Sequence, residues 1–255
     1  MTDSSALSGH PVTLSIDIGG SGLKASALDA NGRMLVDRVR RETTYPMTPH
    51  QMVDQLAELV TPLPPYDRVS VGFPGMVRGG VLLTAPKFDT AGGPGTPVDP
   101  DLRKAWDHFD LATALQEKLG KPTRVVNDAD MQGLAVVEGH GLEFVLTLGS
   151  GVGTALFLDG RLLPHLEMAH QPFRKGETYD EQLGDVTRHA VGNERWNTRV
   201  GKAIGNFAIL FFYDHLYVGG GNAQRVKIDL GPNATIVDNS AGILGGIRLW
   251  ERPVV

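Results

Sequence analysis

The sequence predicts an α/β protein in which one structural unit occurs twice, giving two similar lobes that face one another across a cleft. Three observations carry that expectation. Residues 12–18 alternate into a short apolar strand that runs into Asp17-Ile18-Gly19-Gly20-Ser21-Gly22-Leu23-Lys24, a glycine-dense turn followed by a second strand rather than a helix. Residues 144–148 run in the same way into Gly149-Ser150-Gly151-Val152-Gly153. The two stretches superimpose at a constant offset of 130, which lays Gly19 on Gly149, Ala25 on Ala155, Leu28 on Leu158 and Asp29 on Asp159.

The elements follow in order. Residues 24–29 keep strand alternation, Asn31-Gly32 supplies a tight hairpin turn, and residues 34–40 alternate again, so three successive antiparallel strands are predicted. Residues 48–60 read as a helix, with Met52, Val53, Leu56, Leu59 and Val60 on one face and Thr48 as its cap. A strand is expected at 68–73. Residues 75–100, rich in Gly, Pro and Thr, read as a functional loop region lining a cleft. A helix at 111–119, a strand at 123–126 and a helix at 129–137, entered directly from Asn127-Asp128, come next. Beyond the second copy, helices are predicted at 179–191 and 195–212, a strand at 216–218 entering Gly219-Gly220-Gly221, and a last helix at 241–250. The expected division is a smaller N-terminal lobe, 1–122, onto which the last helix (about 240–250) packs back, and a C-terminal lobe, 123–239.

Composition narrows the chemistry. The 255 residues are 41% hydrophobic and 21% charged, which is ordinary globular usage and excludes disordered and collagen-like chains. With no Cys, a disulfide scaffold, thiolate zinc sites, iron–sulfur clusters and cysteine nucleophiles are all excluded, and any metal must use oxygen or imidazole. A net charge of −5 with scattered Lys and Arg offers no footprint for nucleic acid. Residues 1–9 lack a basic segment and an apolar core, so a frayed tail is expected rather than a signal peptide. The longest apolar stretch, 208–213, is too short for a bilayer, and the expected location is the cytoplasm, off the membrane.

A glycine turn between strands leaves backbone N–H groups unhindered, which builds a nest for phosphate oxygens; the alternative is a plain hairpin connection. Asp17 is placed to hold magnesium through water, and Lys24 to offset phosphate charge. Gly20-Ser21-Gly22-Leu23-Lys24-Ala25 formally matches a dinucleotide fingerprint, but that motif must open a helix and this one opens a strand. Asp128, between a strand and a helix, is either a helix cap or a base for a substrate hydroxyl, with Asn127 beside it for a sugar hydroxyl. Glu167-Met168-Ala169-His170 sets a carboxylate and an imidazole three residues apart, suited to a polyol unless they form an exposed pair.

Taken together these residues resemble the ROK family of sugar kinases and repressors, within the actin-like (ribonuclease H-like), hexokinase-like group, with two lobes around a central cleft. The resemblance spans nearly the whole chain. Asp17 to Lys24 is similar to the family's first phosphate motif, Asn127-Asp128-Ala129-Asp130 to its catalytic segment, and Leu148 to Gly153 to its second phosphate motif. Glu167 to His170 is similar to its E-x-G-H sugar motif, and Gly219-Gly220-Gly221 to its nucleotide-side cluster. The wording is nearest to polyphosphate glucokinases and glucomannokinases. The resemblance implies transfer of a phosphoryl group from polyphosphate, ATP or both to the 6-hydroxyl of glucose, with Asp128 as base. Asn127, Glu167 and His170 would bind the other hydroxyls, with a second carboxylate at Glu181, or else Glu177. Asp17, Gly19, Gly20, Ser21, Gly22, Lys24, Gly149, Ser150, Gly151, Gly153, Gly219, Gly220 and Gly221 would hold the donor with Mg2+. A homodimer is implied. Zinc is not expected, since the cysteine-rich motif is missing, and the early first motif argues against the repressor branch with its helix-turn-helix extension. Ala169 replaces the motif's Gly, and Lys87-Phe88 stands where many relatives present an Asn, leaving mannose or fructose as alternative acceptors and a non-catalytic sensor as the reading from another class. Lys87 is either a surface residue or part of a basic strip with Lys24 for a long phosphate chain.

Overall fold

Strands as apolar as those in the first half of the chain must be covered by other elements of the fold. The computed structural model describes residues 10–237 and 242–252. It divides into two units, ending and beginning at Asp128 and Ala129. The first contains β1 (Thr13–Ile18), β2 (Gly22–Leu28), β3 (Val39–Glu42), α1 (Pro49–Val60), β4 (Arg68–Phe73), β5 (Val77–Arg78), β6 (Val81–Leu82), α2 (Pro100–Trp106), β7 (Phe109–Asp110), α3 (Leu111–Leu119) and β8 (Thr123–Asn127). Its main sheet has the order β3-β2-β1-β4-β8, antiparallel across β3, β2 and β1 and parallel across β1, β4 and β8.

Helix α1 starts where Thr48 and Gln51 satisfy each other's backbone in a capping box, with Pro49 in the first turn, and it buries Met52, Val53, Leu56, Leu59 and Val60. The expected loop region 75–100 is more ordered than its composition suggests. Strands β5, β6 and β7 form a small antiparallel sheet, and Phe88 enters an aromatic cluster, 5.7 Å from Phe73 and 5.4 Å from Trp106 between ring centroids. Trp106 donates to the Met47 carbonyl at 2.9 Å, so its buried N–H is satisfied. Burial of Phe88 alone contributes about 2 kcal/mol, which outweighs the local preference of its Gly- and Pro-rich neighbours for loop.

The third strand falls at 39–42 rather than at the expected 34–40. Asp29 accepts the N–H groups of Asn31 and Arg33, widening the turn, and after a single bridge from Met34 to Leu28 the pairing breaks until Val39 meets Ala25. Met34, Leu35 and Val36 are 43–46% exposed, so their alternation had no core to fix it.

The second unit continues α4 (Asp128–Val136) into β9 (Leu142–Leu148), β10 (Val152–Leu158), β11 (Arg161–Leu162), a 3-10 turn (Met168–His170), β12 (Pro172–Arg174), β13 (Glu177–Thr178), α5 (Tyr179–Leu183), α6 (Asp185–Val191), α7 (Asn193–Phe211), β14 (His215–Gly219), β15 (Ala234–Ile236) and α8 (Gly242–Glu251). Its sheet, β11-β10-β9-β14-β15, repeats the first in strand order and in strand direction at every pairing. The offset of 130 is therefore a structural duplication. Helix α7 buries Trp196, Val200, Ala203, Ile204 and Phe207 at helical spacing, and Trp196 donates to the Leu183 carbonyl at 2.8 Å. No helix of the described residues is long and apolar enough to cross a membrane.

One expectation about the lobes is corrected. The boundary lies at 128 and not 122, because β8 pairs in parallel with β4 from Val69↔Thr123 to Phe73↔Asn127 and so completes the first sheet. Within the second unit, α8 lies against α4, where Gly245 presses its Cα against the backbone of Met131, with 2.8 Å between a would-be Cβ and the Met131 carbonyl carbon. Residues 240 and 241 of that predicted helix lie outside the described residues.

Candidate active site

In the first unit, the turn between β1 and β2 is closed by its own backbone: Gly19 N–H donates to Gly22 O at 3.0 Å and Gly22 N–H to Gly19 O at 3.3 Å. A Cβ on Gly19 would stand 2.9 Å from Gly22 O, so the turn closes only with glycine there. Thr43 donates its hydroxyl to Gly19 O and Tyr45 to Gly20 O, each at 2.7 Å. In a trans peptide the C=O and N–H point opposite ways, so these two anchors turn the N–H groups of Gly20 and Ser21 away from Thr43 and Tyr45. Amides left outward on one side of a turn are available to an anion.

Cations flank the turn. Lys24 pairs with Asp17 across the strands at 2.9 Å, with side chains 37% and 55% exposed. The Lys87 stem lies against Gly20, its Cδ 3.1 Å from a would-be Cβ, and Arg40 Nε is 3.6 Å from the corresponding point on Gly22. The stem of Lys87 is therefore packed against the turn. Magnesium fits a lone, half-exposed carboxylate such as Asp17, because that ion keeps several waters and takes further ligands from phosphates.

At the end of β8, Asn127 is 5% exposed and its amide donates to the Gly75 carbonyl at 3.0 Å, which ties the strand end to the loop before β5. Asp128 is the first residue of α4 and is half-buried. The carboxyl end of a parallel strand, where ligands bind in sheets of this kind, coincides there with the N-terminus of a helix, whose dipole favours an ionised carboxylate.

In the second unit the corresponding turn is held from several sides. Gly149 N–H donates to Gly151 O at 2.9 Å, while Gly149 O accepts from Asp185 N–H at 3.0 Å and from the Asn222 amide at 3.2 Å. Asp180 accepts the Val152 N–H at 2.6 Å, and its carboxylate occupies the space a side chain on Gly151 would need. Asp185 is held below the usual carboxylate range by hydrogen bonds from Arg188 and Asn222. The third glycine cluster meets this turn directly: Gly220, at φ +86°, brings its Cα against the backbone of Leu148, and Asn222 N–H donates to Leu148 O at 2.8 Å. Gly153, expected among the donor-holding residues, also has a packing role. It lies inside β10, opposite Thr147, where a Cβ would stand 2.8 Å from the Ala129 methyl, so it is a packing glycine of the sheet.

Glu167 precedes the 3-10 turn with its side chain 24% exposed, and one oxygen lies 3.9 Å from His170 Nδ1. Its other oxygen is 3.7 Å from Nε2 of His165, whose Nδ1 is 2.9 Å from the buried Asp130 carboxylate. Burial opposes charge on His165, but its hydrogen bond to Asp130 and the negative charges of Asp130 and Glu167 prevail and push it up to about 10. Ala169, where the sugar motif has Gly, is 1% exposed and fills core space. Glu181 closes a capping box on α5, accepting the Thr178 N–H at 2.8 Å; that bond, the Thr178 hydroxyl and the charge of His170 hold it below its ordinary value. The influence of His170 associates Glu181 with the Glu167 segment, whereas Glu177 bonds the Gln182 amide.

His165, Asn222, Asp180 and Arg40 were not singled out in the sequence. Asn222 had a signal, as the polar residue directly after the glycine cluster; His165 had none, because its partners sit at no repeating spacing.

Residues 13–169 match the ROK family. A polyphosphate glucokinase of Mycobacterium tuberculosis (strain CDC 1551 / Oshkosh) is 28% identical over 246 residues, 90% of this chain and 88% of that protein. An N-acetylmannosamine kinase of Escherichia coli (strain SE11) is 34% identical over 158 residues, 59% of this chain and 49% of that one. Among solved structures, the inorganic polyphosphate/ATP-glucomannokinase from Arthrobacter sp. strain KM superimposes with a TM-score of 0.77 at 27% identity, over 95% of this chain and 100% of that one. A ROK family glucokinase from Streptomyces griseus in complex with glucose and AMPPNP gives 0.67 at 18% identity, over 93% and 98%, a likeness of fold.

Proposed function

Because the chain belongs to the ROK family and has the actin-like fold of its sugar kinases, we propose that it transfers a phosphoryl group from polyphosphate, ATP or both to the 6-hydroxyl of glucose. The observation that carries the donor side is the first glycine turn, whose Gly20 and Ser21 amides face away from Thr43 and Tyr45 between Lys24, Arg40 and Lys87. Three cations around one turn suit a donor with many phosphates better than one with three. The 28% identity with a polyphosphate glucokinase supports the same reading.

In this mechanism Asp128 accepts the proton of the 6-hydroxyl as its oxygen bonds to the terminal phosphorus, while the bridging P–O bond breaks and its electron pair leaves with the shortened donor. Asn127, Glu167, His170 and Glu181 orient the remaining hydroxyls. The amides of the two glycine turns, with Gly219, Gly220 and Gly221 shaping the second, hold the donor; Asp17 would hold magnesium through water, and the ion would supply positive charge against the phosphates. Most of the catalysis then comes from position and electrostatics, so one carboxylate suffices as base.

The reading includes a cytoplasmic homodimer. Ile209, Leu210 and Phe212, at 73%, 57% and 82% exposure around the end of α7, form an apolar patch of the kind that marks an interface. Light scattering of the protein and of Phe212→Glu, which should shift it towards monomer, tests this. The activity itself is tested by a coupled glucose 6-phosphate assay with magnesium, comparing ATP and long-chain polyphosphate at matched phosphoryl concentration, with mannose and fructose as alternative acceptors. Turnover with polyphosphate is expected; silence with both donors on every hexose, while glucose still binds calorimetrically, would overturn the kinase reading in favour of a sensor.

A further inference from the structure

Asp130 sits two residues into α4 with its side chain 3% exposed, and a carboxylate so placed needs a buried counter-charge. His165 supplies it. Its ring is 3% exposed and lies between two acids from different elements: Asp130 from α4, 2.9 Å from Nδ1, and Glu167 from the loop before the 3-10 turn, 3.7 Å from Nε2. The remaining titratable group in this set, His170, approaches the second oxygen of Glu167 at 3.9 Å. The loop is also pinned by Thr154 of β10, whose hydroxyl donates to Leu166 O at 3.1 Å, so the segment from His165 to Glu167 is held at backbone and at side chain.

We propose that His165 is a positioning residue for hexose binding, an imidazolium bridge that fixes the Glu167 carboxylate onto α4 through Asp130. The proposal rests on Glu167 being a hexose ligand, as argued above. An imidazolium has a donor on both ring nitrogens and can serve both acids at once, while the neutral ring has only one N–H and must abandon one of them. Glu167 is one-quarter exposed and so accessible to a ligand, while the oxygen it turns to His165 stands 3.7 Å from Nε2, within ion-pair range of a buried imidazolium. The surroundings keep that group charged: the two carboxylates overcome burial and raise His165 to about 10.

The test uses the full chain and glucose as the probe, with affinity measured by calorimetry from about pH 6 to 9, across the ordinary titration range of a histidine. Wild-type affinity should show no inflection from His165. Asp130→Asn removes the main partner that raises it, so His165 should titrate inside that range, and glucose affinity should fall about tenfold as pH rises, with KM moving more than kcat. His165→Gln should weaken glucose binding at every pH. Histidine NMR on the wild type provides a reading independent of any ligand and of any variant's folding: the His165 ring should remain protonated at neutral pH. A neutral ring there, or a pH-independent glucose affinity in Asp130→Asn while Glu167→Gln loses glucose, overturns the bridge alone. An unchanged glucose affinity in Glu167→Gln overturns the hexose reading of Glu167, and the bridge with it.

Discussion

Gly220→Ala and Gly221→Ala are neighbouring substitutions in one glycine cluster, and the structure predicts opposite outcomes for them. Gly220 has φ +86°, and a methyl there would overlap the Leu148 carbonyl oxygen while standing 2.7 Å from Leu148 N and 2.8 Å from its carbonyl carbon. All three atoms are backbone at the end of a central strand and cannot rotate aside. The left-handed conformation costs an L-residue about 1–2 kcal/mol. Forcing a methyl into a filled space adds about 1–3 kcal/mol. A loss of about 3 kcal/mol is therefore expected for Gly220→Ala, a large fraction of a typical domain's stability. Gly221 is exposed and its methyl would meet nothing within 4 Å, so Gly221→Ala should stay within about 0.5 kcal/mol of the wild type. Urea unfolding of the three proteins decides, read from the midpoints at unchanged slope. If Gly220→Ala unfolds within about 0.5 kcal/mol of the wild type, the packing of this cluster against β9 is wrong. Donor KM adds the functional half: Gly221→Ala should raise it without loss of stability if the cluster approaches the donor.

Other positions give shorter tests. Asp128→Asn should leave glucose affinity within a few-fold and cut kcat by orders of magnitude, since only the proton acceptor is lost; near-normal turnover in the coupled assay would remove Asp128 as the base. Gly151→Ala should displace Asp180 and strand the Val152 N–H, costing about 1–2 kcal/mol in unfolding experiments, and Asp180→Ala should reproduce much of that loss. Lys87→Gln should raise KM for polyphosphate more than for ATP, an effect that shrinks with added salt; equal changes for both donors would refute the basic strip. Because the folded state raises His165 from 6.5 to about 10, it binds a proton there that the unfolded chain releases, so the resulting stability is full below about pH 6.5 and is lost as pH rises towards 10. Melting temperatures measured over that interval should decline, and less so in His165→Asn.

The duplication was legible because glycine-dense turns between strands are rare punctuation and two of them shared one offset; the identical strand order of the two sheets follows from it. Helix α1 was equally legible, since Thr48, Pro49 and an apolar stripe are local signals written within one turn of each other. The third strand misled for the same kind of reason, as alternation in 34–36 reads like a strand whether or not a core lies beneath it. The sugar segment divides between the two. Glu167 and His170 stand out at a fixed spacing, but the positive charge beside Glu167 is that of His165, itself paired with Asp130, 37 positions before Glu167.

The sequence by itself determined β1, β2, β4, β8, β9, β10 and β14, the glycine turns, the duplicated unit and the residue types that bear charge at the glycine motifs, because those depend on backbone preferences and periodicity over a few residues. Tertiary structure alone decided that β8 closes the first sheet, that α8 packs on α4, that Gly220 is a packing glycine as well as part of a loop, that Asp180 holds the Val152 amide and that His165 pairs with Asp130. Each of these is a contact between segments far apart in the chain, fixed by excluded volume and by the cost of burying an unpaired charge, and neither leaves a mark in local sequence.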